Sequence, residues 1–164
     1  SKGGIRYDID LMNVELSEIQ NKLTNRFNVP EVYSNSYFTI VTETNYFENQ
    51  AIITEKILRP LANFHPFIII GDRFVHNKLK ELGFELYDDL IDYSFDKELD
   101  DEKRCEMFMK EVAKLCQYDI TELQNKLQKK VLYNFNNLLN IVQTNEHASD
   151  SILDAMLTVS PQIS

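Results

Sequence analysis

Eight residues in three short groups carry the side chains that could do chemistry. Glu43 ends an apolar run, Tyr37-Phe38-Thr39-Ile40-Val41. Thr54, Glu55 and Lys56 open a helical pattern that also carries Arg59, and Gly71, Asp72 and Arg73 follow a second apolar run, Phe67-Ile68-Ile69-Ile70. A helix start offers unpaired backbone N–H groups and the positive end of the helix dipole, so a lysine in its first turn completes a receptor for phosphate or diphosphate. Glu55 beside it can accept from both hydroxyls of a ribose. Acid and base side by side thus match an anionic, hydroxyl-rich ligand such as a nucleoside diphosphate, with Arg59 and Arg73 as further charges. First-turn lysines are also commonly just solvated, so the local pattern leaves an ordinary surface helix start open.

These groups need elements to hold them. Two β-branched and aromatic runs separated by a helical segment read as strand, crossover helix, strand, which predicts a parallel pair with the helix packed on its face. The crevice of such a sheet lies beyond the carboxyl ends of its strands, where Glu43, the Thr54 helix start and the Gly71 turn should meet. Both runs are apolar at successive positions, the pattern of strands buried on both faces. Thr54 is the expected cap of the helix, and Pro60 inside it predicts a kink.

Further along, His76 to Leu82 reads as a helix that Gly83 ends in the left-handed position, followed by a short strand at Phe84-Glu85-Leu86-Tyr87. Residues 88–96 alternate acids with apolar side chains. Two helices then follow. Met107, Phe108, Val112 and Leu115 mark the first, while Asp119 and Glu122 start the second, whose stripe is Leu123, Leu127, Val131, Phe135, Leu138 and Leu139. Both stripes are expected to face the core. Before the first central strand, a weakly alternating segment at 5–13 and a helix over Ser17 to Phe27 are expected. The division is one α/β domain over 1–142 and a tail, 143–164, with a possible short helix.

Composition narrows the function classes. The chain has 164 residues, 43% hydrophobic and 26% charged, and a formal charge of −9. That is one domain's length, with no apolar run able to span a bilayer, and the charge argues against a broad nucleic-acid surface. Cys105 and Cys116 lie in a helical pattern that separates them by about 16 Å along the axis, too far for a disulfide. Reduced thiols and the absence of a signal pattern lead to the expectation of a cytoplasmic protein with no membrane span. His65, His76 and His147 show no metal spacing. Asp88-Asp89 and Asp100-Asp101 lack an apolar strand leading into them and read as acidic turns, so no metal ligand is assigned. No nucleophile elbow is present either.

Three blocks carry a family resemblance: Tyr37 to Glu43, Ile53-Thr54-Glu55-Lys56-Ile57-Leu58-Arg59-Pro60-Leu61, and His65-Pro66-Phe67-Ile68-Ile69-Ile70-Gly71. They resemble the donor-binding, C-terminal lobe of glycosyltransferases with two Rossmann-like lobes (GT-B-like). In particular they are similar to the α-1,3-fucosyltransferase signature of an aromatic-rich strand, a Thr-Glu-Lys helix start and a Pro-Val-Val-x-Gly strand. Leu79-x-x-Leu82-Gly83-Phe84 and Asp92-x-Ser94-x-Asp96 resemble segments of phage and large-virus glycosyltransferases. The likeness spans about residues 33 to 140. Thr44 stands where fucosyltransferases carry Asn, and Tyr93 where the viral acidic element carries Glu.

The resemblance implies an α/β, Rossmann-like, mostly parallel sheet flanked by helices with a helical C-terminal end. It also implies metal-independent transfer of a sugar from a nucleoside-diphosphate donor to a carbohydrate or other hydroxyl acceptor. Glu55 would bind the ribose, Lys56 the diphosphate, and Glu43 the sugar or the pocket wall. Thr54 and the helix N–H groups, Arg59, Gly71, Asp72 and Arg73 would complete the donor site. No cofactor beyond the donor is implied and no catalytic residue is assigned, because the general base belongs to an amino-terminal acceptor lobe. The alternative from another class is a non-catalytic Rossmann-like module for a nucleotide or a protein partner.

Overall fold

A computed structural model describes residues 32–33, 35–43 and 54–144, with the side chains of Glu55 and of 142–144 excepted. The expected segments at 5–13 and 17–27, the loop at 44–50 and most of the tail lie outside the described residues.

Strands β1 (Thr39–Thr42) and β2 (Phe67–Ile70) pair in parallel, with Thr39 opposite Phe67 and Thr42 opposite Ile70. The ladder extends one bond at each end, Thr39 N–H donating to the Pro66 carbonyl and Glu43 N–H to the Ile70 carbonyl, both at 2.9 Å. Helix α1 (Glu55–Ala62) crosses between them, so the strand, helix, strand reading holds. Thr54 caps α1 by accepting from the Lys56 amide at 3.2 Å. Ile57, Leu58 and Leu61 lie at 0, 1 and 2% exposure on its inner face. Burying each such side chain is worth about 1.5–3 kcal/mol, which fixes the helix against the sheet far more firmly than its intrinsic propensity could.

One local expectation needs correction. β1 is not buried on both faces: Val41 is 3% exposed but Ile40 is 43% exposed, so the strand alternates like one packed on a single side. Pro60 lies inside α1 as read, and the helix continues through it to Ala62. The Pro60 carbonyl accepts from the amides of Asn63 and His65, closing the turn into β2.

Helix α2 (Val75–Glu81) ends as read from Gly83, whose φ is +83°. The Gly83 amide reaches the Lys80 carbonyl and the Phe84 amide that of Leu79, the two bonds of a Schellman ending, with Leu79 and Phe84 both buried. The expected strand at Phe84 to Tyr87 is absent. Its backbone groups are taken by side chains: Asn134, 1% exposed, accepts from Glu85 N–H at 2.7 Å and donates to its carbonyl at 2.9 Å, and Lys130 donates to the Leu86 carbonyl at 2.7 Å. An amide side chain thus occupies the place of a neighbouring strand, and the segment joins no sheet among the described residues. The acidic stretch after it turns into a 3₁₀ helix, Tyr93–Lys97, capped by Asp92.

Helix α3 (Asp101–Leu115) is capped by Asp100, which accepts from the Lys103 amide at 2.9 Å. Helix α4 (Ile120–Thr144) starts where Asp119 accepts from the Thr121 amide. Both stripes face the core as expected: Phe108, Val112 and Leu115 from α3, and Leu123, Leu127, Val131, Phe135 and Leu138 from α4, are all buried. Phe135 stacks on Phe64 with ring centroids 3.8 Å apart, joining α4 to the end of α1. The described fold is therefore mixed α/β, with four helices around a two-stranded parallel sheet. No helix among the described residues is long and apolar enough to cross a membrane.

Candidate anion site at the carboxyl edge of the sheet

The end of β1, the start of α1 and the end of β2 meet at one place. Thr54 Oγ donates to Glu43 Oε1, and Lys56 Nζ lies 3.9 Å from Glu43 Oε2 and donates to the Thr42 carbonyl at 3.0 Å. Gly71 packs directly on Glu43, so closely that a Cβ at Gly71 would stand 2.6 Å from that of Glu43. The Glu43 side chain is 7% exposed, whereas that of Lys56 is 51% exposed. The carboxylate is therefore a wall of the site and the ammonium its accessible charge.

Burial raises the Glu43 carboxyl above its usual range and Asp72 pushes the same way, while Thr54 and Lys56 work against them. Asp72 is likewise raised by burial, opposed by Arg104. Two carboxyls with Lys56 at the ends of neighbouring parallel strands give a mixed-sign edge. It can accept from ligand hydroxyls through oxygen and donate to phosphate through Lys56.

The remaining expected residues divide. Glu55 lies in the first turn of α1, and its side chain is not described. Arg59 sits in the last turn of α1, three residues beyond Lys56, and its charge acts on the Tyr33 hydroxyl. Arg73 follows the Gly71 turn, but its guanidinium is engaged: it donates to the carbonyls of Glu98 and Leu99 at 2.9 and 2.7 Å and to Asp101 at 2.6 Å. That makes Arg73 a clasp between the turn and the start of α3.

Sequence reading missed Arg104. It is 3% exposed, its Nη2 donates to the Gly71 carbonyl, and its Nε has no hydrogen-bond partner among the described residues. Its signal was its position: Arg104 stands four residues before Phe108 in the buried stripe of α3, where a charged side chain requires a partner. That partner is the end of β2.

A second polar cluster holds the same turn from its other side. His76 and Asp96 are buried, with Nδ1 and Oδ1 3.0 Å apart. Their orientation gives neither atom a well-formed hydrogen bond, and the better-formed contact is the His76 backbone amide on Asp96 Oδ2 at 3.2 Å. The Tyr93 ring lies 4.5 Å from that of His76. His65, at the opposite edge of the sheet, is buried beside Ser36 and Tyr33 and is pushed down to about 4 by burial.

No family model, curated protein or solved structure matches the chain. Among the described residues no group of three His, Cys, Asp or Glu side chains could hold a metal ion. Asp88 and Asp89 both pair with Lys130, which draws the Asp88 carboxyl below its usual range, and Asp100 is spent as a helix cap.

Proposed function

We propose that the chain is the donor-binding lobe of a glycosyltransferase, and that its parallel pair belongs to a Rossmann-like, mostly parallel sheet flanked by helices. A nucleoside-diphosphate sugar binds at the carboxyl edge. What supports this reading is the convergence of Glu43, Thr54, Lys56 and Gly71 there, from three blocks separated in sequence. Lys56 neutralises the departing diphosphate, with the first amides of α1 beside it, and Glu43 and Asp72 accept from hydroxyls of the ribose or sugar. Stabilising the leaving group in this way is the lobe's share of catalysis, and a second lobe brings the acceptor and its base. No metal is required in this scheme. A cytoplasmic setting is part of the proposal, in keeping with the free thiols of Cys105 and Cys116.

Titration with a panel of nucleoside diphosphates in excess chelator tests the reading. Lys56→Ala removes a charge-assisted contact worth about 1.5–3 kcal/mol, so affinity should fall roughly ten- to hundredfold with the fold intact. Absence of binding, or binding only with magnesium or manganese, would sink it. A non-catalytic nucleotide- or protein-binding module is the second reading, favoured by one observation: the Arg73 guanidinium is already engaged by protein groups, leaving Lys56 as the exposed cation beside Glu43 among the described residues. Nucleotide binding that persists in the Lys56→Ala variant would favour it.

A further inference from the structure

Among the described residues two that are not glycine have left-handed backbone conformations, Phe64 with φ +51° and Phe74 with φ +67°. Left-handed backbone is unfavourable for a residue with a bulky side chain, and it persists where surrounding contacts compel it. For Phe64 the compensation is plain: the ring is 6% exposed and stacks on Phe135 in the core. Phe74 has no such return, because its ring is 47% exposed.

The turn is nevertheless held by an expensive set of contacts. Phe74 N–H donates to the Asp96 carbonyl at 3.2 Å, and its own carbonyl accepts from the Lys78 amide at 3.0 Å. The buried Asp96 carboxylate takes the next-but-one amide, that of His76, and lies against the His76 ring. Arg73 clasps residues 98, 99 and 101. Buried carboxyl, engaged guanidinium and left-handed backbone together hold the turn at an exposed Phe74. Phe74 is three residues beyond Gly71, a chain reach of at most about 10 Å, so its backbone lies at the same carboxyl edge of the sheet as Glu43 and Lys56.

We infer that Phe74 is the stacking surface for the heterocyclic base of the nucleoside diphosphate, with His76, Asp96 and Arg73 as positioning residues that fix the ring. The inference rests on the donor-site reading above and adds to it the place of the base. Every base presents a flat π-face, so one exposed ring can receive it without reading its hydrogen-bonding edge. Selectivity among bases is therefore expected to be weak at this contact.

The test is calorimetric titration of the whole chain with inorganic pyrophosphate and with uridine and guanosine diphosphates, for the parent, Phe74→Gly and Phe74→Trp. Glycine accepts the left-handed backbone, so Phe74→Gly removes the ring without straining the turn, and its Tm should equal or exceed the parent's. The expected result is a loss of roughly five- to hundredfold for the nucleoside diphosphates in Phe74→Gly, none for pyrophosphate, and recovery in Phe74→Trp. Unchanged nucleoside diphosphate affinity in Phe74→Gly overturns the base assignment while the Lys56 site stands. An equal loss for pyrophosphate also overturns it, since the ring would then serve the turn alone. A parent that binds neither ligand removes the donor-site reading, and this inference with it.

Discussion

Replacing Gly71 by alanine isolates the closest contact of the site. The Gly71 φ is not left-handed, so alanine meets no backbone penalty, and its whole effect is steric. The new Cβ would stand 2.6 Å from Glu43 Cβ, 3.2 Å from Cγ and 3.6 Å from Cα. A flexible side-chain end could move aside, but Glu43 Cβ is fixed to a residue whose amide bonds Ile70, so the strands themselves must part. Overpacking of this kind destabilises by about 1–3 kcal/mol. Urea unfolding measures it as a lowered midpoint at constant slope. The location of the clash makes the result specific. In a Glu43→Ala background the colliding Cβ remains and Gly71→Ala should still destabilise; in a Glu43→Gly background it is gone and the penalty should vanish, a coupling that a double-mutant cycle reads directly. Equal penalties in the Glu43→Ala and Glu43→Gly backgrounds would refute the reasoning.

Two further outcomes concern stability. Asn134→Ala leaves the amide and carbonyl of Glu85 without partners beside a buried position, so unfolding free energy should drop by about 2–4 kcal/mol, with hydrogen exchange at Glu85 accelerating more than in α3. His65 titrates near 4 when folded and near 6.5 when unfolded, so the unfolded chain binds the extra proton between those values. Its contribution is present above pH 6.5 and is lost on acidification through that window, by about 3 kcal/mol; His65→Gln should flatten the pH dependence of Tm there, and an unchanged slope would count against it.

Much of this site was legible because it depends on local chemistry. Glu43 ends an apolar run, Thr54 is a capping side chain before a helical pattern, and Gly71 stops a β-branched run. Each sits at the end of an element, and the right-handed crossover brings such ends together. The cap at Gly83 and the core stripes of α3 and α4 were readable for similar reasons. What escaped was set by tertiary partners. Phe84 to Tyr87 has strand composition, but Asn134 and Lys130 consume its backbone groups, a fact that no local pattern contains. Arg73 has the composition of a ligand-facing turn residue, yet the carbonyls of Glu98 and Leu99 claim it. Arg104 carried a legible signal, a charge on a buried face, but its target at Gly71 lies 33 residues away.

The grip of α4 on the segment after α2 bears on the order in which the chain can become structured. Lys130, Asn134 and Asn137 hold carbonyls or amides of Leu86, Glu85 and Leu82 across separations of 44, 49 and 55 residues. The sheet, by contrast, needs only the crossover through α1. During synthesis the strand pair can therefore form early, while residues 82–86 wait for α4 to leave the ribosome. Until then that stretch exposes unpaired backbone beside Phe84 and Leu86, which makes it the place where a stalled or truncated chain would seek a partner in another molecule.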